Sequence, residues 1–144
     1  MILGLLLTAS ASVSSQLDEG RRLLRSSRAE ISALIASDPS IALLHRSVIM
    51  SQTSDAGQLW SACVRGKVID QTASSNAAAA IADAALASCD SDREEFQNWL
   101  RVAAQANGES PIEPDIEAIV SKLRALIRGK AIEQIRIDRQ PKRR

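Results

Sequence analysis

Residues 55–89 read DAGQLWSACVRGKVIDQTASSNAAAAIADAALASC. Two cysteines, Cys63 and Cys89, flank a polar turn at Gln71–Ser75. Each lies in a segment whose apolar residues recur at intervals of three and four. Before the turn these are Trp60, Cys63, Val64 and Val68; after it they are Ala78, Ala82, Ala85 and Cys89. Such spacing marks amphipathic helix. In an antiparallel helical hairpin, facing positions are equidistant from the centre of the turn, so pairing Cys63 with Cys89 centres the turn on Asn76. Composition places the end of the turn at the same point. Small residues, Ala62 and Gly66 on one helix and Ala82 and Ala85 on the other, let the axes approach toward the low end of the usual spacing of about 8–10 Å. A disulfide requires that, because its Cα atoms stand roughly 4.4–6.8 Å apart.

The pair is therefore expected to be a structural disulfide, stabilising the fold by about 3.5 kcal/mol on the chain-entropy model. Two other readings stay open. The thiols are free and buried if the chain remains in a reducing compartment. A chemical role has less behind it, since a redox pair is usually Cys-x-x-Cys. Zinc takes four ligands, and Cys63, Cys89 and His45 make three without motif spacing.

Outward from the hairpin, the rest of the chain reads as helix. The fold class is all-α: a small bundle of about five helices around a disulfide-linked central hairpin. A first helix is expected over Gln16–Ser37, with Leu17, Leu24, Ile31, Leu34 and Ile35 as its apolar stripe and Arg21, Arg22, Arg25 and Arg28 as a solvated face. Asp38-Pro39 starts a second helix to about Met50, since proline at the first helical position loses no hydrogen bond. Its expected buried residues are Leu43, Leu44 and Val48. Ser51–Gly57 reads as a loop, closed by a capping box of Asp55 and Gln58 that opens the third helix, to about Asp70. The fourth runs from near Asn76 to Ala106, with a kink or restart near Ser91, where Ser91 and Glu94 form another capping pattern. Phe96, Trp99, Leu100 and Ala103 extend its stripe. Asn107-Gly108 is a helix stop, residues 107–114 read as a linker, and 115–138 as an amphipathic basic helix with Ile116, Ile119, Val120, Leu123, Leu126, Ile127 and Ile135 on its stripe. Residues 139–144 read as a frayed basic tail.

Residues 1–15 read as a secretory leader. An apolar run from Met1 gives way to small residues up to Ser15, although no Lys or Arg precedes the run. The run is too short to span a bilayer, which needs about 20 apolar residues. The expected location is periplasmic or secreted, otherwise cytoplasmic.

The pattern Leu59-Trp60-Ser61-Ala62-Cys63, followed by Ala80-Ile81-Ala82-Asp83-Ala84-Ala85-Leu86-Ala87-Ser88-Cys89, resembles small uncharacterised exported two-cysteine all-helical bacterial proteins. In that group an aromatic residue precedes the first cysteine by three, and Ile-Ala-x-Ala-Ala-Leu-x-x-Cys comes on the next helix. The resemblance implies a disulfide-linked hairpin and no activity. A second likeness, to small two-cysteine periplasmic immunity proteins, rests on Gly57–Cys63. The aromatic-glycine segment that comes after the second cysteine in those proteins is replaced here by Asp90-Ser91-Asp92-Arg93.

Net charge is +1 from 18 Lys+Arg and 17 Asp+Glu, which speaks against a nucleic-acid partner. The charge is nevertheless segregated. Ser121–Arg144 carries nine basic and two acidic residues, and Asp70–Glu117 ten acidic and two basic. The basic helix is expected to lie against the acidic stretch, or to contact a partner or an anionic membrane through Lys122, Arg124, Arg128 and Arg136. Phosphate binding by Lys142, Arg143 and Arg144 fits poorly with export and with so few aromatics.

No motif names a reaction. His45 lacks a nucleophile motif to pair with. Asp90, Asp92, Glu94 and Glu95 lack the glycine turn of a calcium loop and are better explained as carboxylates at a helix start. Trp60 and Trp99 read as core anchors, and no phosphate loop is present. No cofactor or metal is implied. The functional expectation is a non-enzymatic protein-binding or envelope-associated module. The alternatives are membrane-surface binding through the cationic helix, or a cytosolic protein with free thiols.

Overall fold

The computed structural model describes the backbone of residues 3–141 and the side chains of residues 13–141. The expected leader lies largely outside the described side chains, and Lys142–Arg144 of the basic tail lie outside the described residues. The chain is all-α, with α1 (Leu3–Ser37), α2 (Ile41–Leu44), α3 (Arg46–Asp70), α4 (Ala78–Ser88), α5 (Asp90–Ala106) and α6 (Glu113–Arg139). Among the described residues no helix is long and apolar enough to cross a membrane.

α3 is the centre of the bundle. Ile49, Thr53, Ala56, Gly57, Trp60, Cys63, Val64 and Val68 are all buried, a stripe too broad to be covered by one neighbour. α5 packs along most of its length, with α1, α2, α4 and α6 around the rest. α4 in turn leans on α6. Trp60 and Trp99 are among the largest fully buried side chains, and the Trp60 ring stands 6.2 Å from Phe96. One core runs through α1 to α6, and the basic helix is part of it.

Several local expectations are corrected. Ser51–Gly57 is helix, not loop, and the Asp55–Gln58 pattern lies inside α3. The polar residues there cost the helix little. Ser51, Ser54 and Asp55 face solvent, while the buried Thr53 hydroxyl donates to the Ile49 carbonyl at 2.7 Å. The second helix is instead interrupted at His45 (φ −99°, ψ 13°), though Ala42 and Ile49, seven residues apart, keep one face across the interruption. Ala42 and Ile49 are buried, and Leu43, Leu44 and Val48 are exposed, Leu44 to 80%. The long fourth helix is two, parted at Cys89, two residues before the expected restart.

The punctuation of the chain behaves as its chemistry demands. The Asp38 carboxylate accepts from the Ser40 N–H at 3.0 Å and the Ser40 hydroxyl at 2.7 Å in a turn that holds Pro39, so α2 begins two residues later than expected, at Ile41. α5 ends in a Schellman motif: the Gly108 N–H donates to Gln105 O, and the Glu109 N–H to Ala104 O, both at 3.0 Å. Gly108 is left-handed at φ 74°, a conformation only glycine adopts without strain. The chain then crosses residues 109–112 before α6 begins beside Pro114.

Candidate functional site

Cys63 and Cys89 are joined by a disulfide with their Cα atoms 6.0 Å apart. It fastens the last third of α3 to the hinge between α4 and α5. The antiparallel register continues past it. Thr53 and Trp99, which stand equally far from Asn76, face each other, with the Thr53 hydroxyl 3.5 Å from the Trp99 carbonyl oxygen. Of the small residues expected to allow this approach, Ala82 and Ala85 are buried. Gly66 plays no part, since a Cβ there would meet nothing within 4 Å.

Beside the disulfide stands a polar seam that the sequence reading placed in solvent. Arg21 of α1 donates from Nε and Nη2 to the two carboxylate oxygens of Asp92, at 2.8 and 2.9 Å. Two turns on, Arg28 grips Glu95 in the same way at 2.6 and 3.1 Å. Asp92 is 2% exposed and Glu95 7%. These arginines are therefore not a solvated face; Arg22 and Arg25, between them, are exposed. The hydrogen bonds to Asp92, strengthened by its charge, hold the Arg21 guanidinium well above its ordinary pKa. The disulfide sulfurs and an Asp92 oxygen lie within 4.8 Å of one another. Metal binding would call for thiolates and a free carboxylate, whereas here the sulfurs are bonded to each other and Asp92 is committed to Arg21.

The cationic residues of α6 divide. Arg128 donates to both oxygens of Asp83 on α4, at 2.7 and 3.2 Å, so the basic helix does lie against the acidic stretch. The Arg128 hydrogen bond holds the Asp83 carboxyl below its ordinary pKa, and the charge of Arg124 adds to the effect. Arg139 closes the far end, donating to the carbonyls of Ser74 and Asn76 at 2.7 and 2.6 Å. Lys122, Arg124 and Arg136 are exposed. His45 is exposed at the α2–α3 break.

The least expected feature is apolar. Two open grooves meet at Glu109 and Ser110, where the α5–α6 connection crosses the end of the bundle. One, of about 690 Å³, runs between α1, α2 and α5, with Ile35, Pro39, Leu43 and Val102 beside Arg28, Asn98, Arg101 and Gln105. The other, of about 490 Å³, lies between α3, α5 and α6. It is lined by Met50, Thr53, Leu100, Ala103, Ala104, Ile112, Ile116 and Ile119, with Asn107, Glu109, Ser110 and Asp115 at its edge. Leu43, Met50, Ile112 and Ile119 are exposed here, Ile112 to 56%, and Leu44 and Val48 are exposed on the adjoining turns of α2 and α3.

Sequence reasoning missed this region for two reasons. It buried Leu43, Leu44 and Val48 where Ala42 and Ile49 face the core, and it gave Ile112 to a linker. The one available signal was the width of the α6 stripe. Ile116, Ile119, Val120, Leu123, Leu126 and Ile127 cover more of a helix than one core contact can bury, and Ile119 and Leu126 are indeed exposed. Comparison of the chain with protein-family models, with curated proteins and with solved structures finds no match.

Proposed function

We propose that this chain is an exported, disulfide-stabilised helical scaffold that acts without catalysis, by binding another protein at the end of the bundle where the two grooves meet. The observation that carries the reading is that exposed Leu43, Met50, Ile112 and Ile119 line the two grooves, with Leu44 and Val48 exposed on neighbouring turns. Scattered exposed apolar residues are ordinary, but exposed apolar residues lining grooves edged by polar groups mark an interaction surface. Burying one such side chain is worth about 1.5–3 kcal/mol, enough for a few to hold a partner. The disulfide supports an oxidising compartment, where such bonds persist.

A second reading, contact with an anionic membrane through α6, has Lys122, Arg124 and Arg136 exposed beside the exposed Leu126 in its favour. It has less charge to work with than the sequence suggests, because Arg128 is engaged by Asp83 and Arg139 by backbone carbonyls.

The test is site-specific photo-crosslinking in the native host, with the photoreactive residue at Leu44, at Ile112 or at exposed Arg22 as the control. Protein adducts at the first two positions and not at Arg22 are expected. Adducts absent from both, with salt-sensitive co-sedimentation on anionic vesicles, would replace this reading with the membrane one.

A further inference from the structure

The groove between α3, α5 and α6 has the shape that accepts a helix. Thr53, Ala103 and Ile116 are its buried lining, and Met50, Leu100, Ala104 and Ile119 its more exposed lining, with Ile112 just before α6. With only methyl side chains at Ala103 and Ala104, this trough of about 490 Å³ has room for leucine-sized side chains. This is how an amphipathic helix is captured in a groove, through anchors at i, i+3 or i+4, and i+7.

Charge says which helix. The charged side chains lining the trough are Glu109 and Asp115, and neither takes part in an ion pair among the described residues. Of the nearby cations, Arg101 is committed to Glu113 and Asn98; Arg46, one turn before Met50, and Lys122, one turn after Ile119, are exposed, and neither lines the trough. Carboxylates at the edge of an apolar trough repel an anionic lipid surface and attract Lys and Arg. The chain's own basic helix is ill suited to fill the trough of a second copy, because its apolar stripe of Ile127, Ala131 and Ile135 is already buried in this core.

We infer that this trough is the receptor for a basic amphipathic helix of another protein, an assignment that rests on the protein-binding reading above. Leucine-sized side chains of the partner lie over Ala103 and Ala104, and its Lys or Arg residues meet Glu109 and Asp115.

The experiment is a fluorescence-anisotropy titration of the full, disulfide-bonded chain into a labelled synthetic peptide with leucines at helical spacing and lysines elsewhere. Two control peptides carry the same leucines with glutamates in place of lysines, or the same composition with the leucines scattered around the helix. Saturable one-to-one binding of the basic peptide alone is expected. Ile119→Ser, at an exposed position, weakens it by about tenfold, or 1.4 kcal/mol, and so does the pair Glu109→Lys with Asp115→Lys. Ala104→Trp fills the trough and abolishes binding, with thermal melts showing that each variant folds. The assignment is overturned if the basic peptide does not bind, if a control peptide binds as well, or if binding survives Ile119→Ser and the charge reversals. A dimer in sedimentation velocity that Ile119→Ser dissociates also overturns it, since the occupant is then a second copy. Crosslinks from Ile112 to another protein, without peptide binding, sink this assignment and leave the protein-binding reading standing; loss of both sinks both.

Discussion

Arg21 of α1 holds Asp92 of α5 through two parallel hydrogen bonds, 2.8 and 2.9 Å long, across 71 residues of sequence. Asp92 has almost no contact with water and sits against the Cys63–Cys89 disulfide. The pair ties the first helix to the segment the disulfide already anchors.

Removing the arginine strands a buried carboxylate. Arg21→Leu is expected to destabilise the fold by about 3 kcal/mol, because breaking a buried pair leaves its partner's charge without compensation. Arg21→Leu with Asp92→Leu removes both charges and recovers most of that loss. Urea denaturation of the two variants checks this: equal midpoints would show that Asp92 does not need its partner.

The disulfide closes a loop whose ends are 26 residues apart. Reduction, or Cys63→Ala with Cys89→Ala, is expected to lower stability by about 3.5 kcal/mol if the effect lies in the unfolded chain. The fold itself persists, since Trp60, Trp99 and Phe96 hold α3 against α5 without it. Circular dichroism of the reduced chain tests the second half of this statement, and its denaturation midpoint the first.

Acid acts on the surface forks. The Arg128 hydrogen bond depresses the Asp83 pKa, Arg93 depresses Asp90, and Arg101 depresses Glu113. A carboxyl whose folded pKa lies below its unfolded value contributes stability that is complete above the unfolded value and is lost as pH falls through the folded one. With ordinary values of 3.8 for Asp and 4.5 for Glu, stability should be flat from neutral pH to about 4.5 and should fall below it. Arg128→Gln removes the Asp83 share, so its stability falls less steeply with acid than the parent's. Denaturant titrations at pH 7 and pH 3 measure the difference, and parallel losses in the two proteins would contradict it.

Much of this fold is legible in the sequence because its decisive signals are local. Two cysteines and a polar turn between them define the hairpin register, which Thr53 and Trp99 then keep. Asp38-Pro39 and Asn107-Gly108 mark real boundaries because capping and left-handed geometry need only neighbouring residues. What was not legible depends on partners far away. Arg21 and Arg28 look like a solvated face until α5 delivers Asp92 and Glu95. Ser51–Gly57 looks like a loop until α5 and α6 bring Trp99 to Thr53, and Phe96 and Leu123 to Gly57. The groove was hidden because the sequence reading took Leu43, Leu44 and Val48 as the buried face, whereas Ala42 and Ile49, seven residues apart, are the ones the core covers.

The glycines of α3 separate helix propensity from packing. A methyl group on Gly66 meets nothing within 4 Å, so Gly66→Ala gains helix propensity at no steric cost. The expected gain is about 1 kcal/mol. At Gly57 the same methyl comes within 3.3 Å of Leu123 Cδ2 and of Phe96 Cε2. Leu123 is half-buried and can turn aside, but Phe96 is buried against Trp60 and cannot. The propensity gain is then offset, and Gly57→Ala should come out near neutral, while Gly57→Leu overpacks the α3–α5–α6 junction and costs about 1–3 kcal/mol or more. Thermal melts of the three variants order them as Gly66→Ala, Gly57→Ala, Gly57→Leu from most to least stable. A Gly57→Leu protein as stable as Gly66→Ala would mean that α3 does not approach α5 and α6 as closely as described.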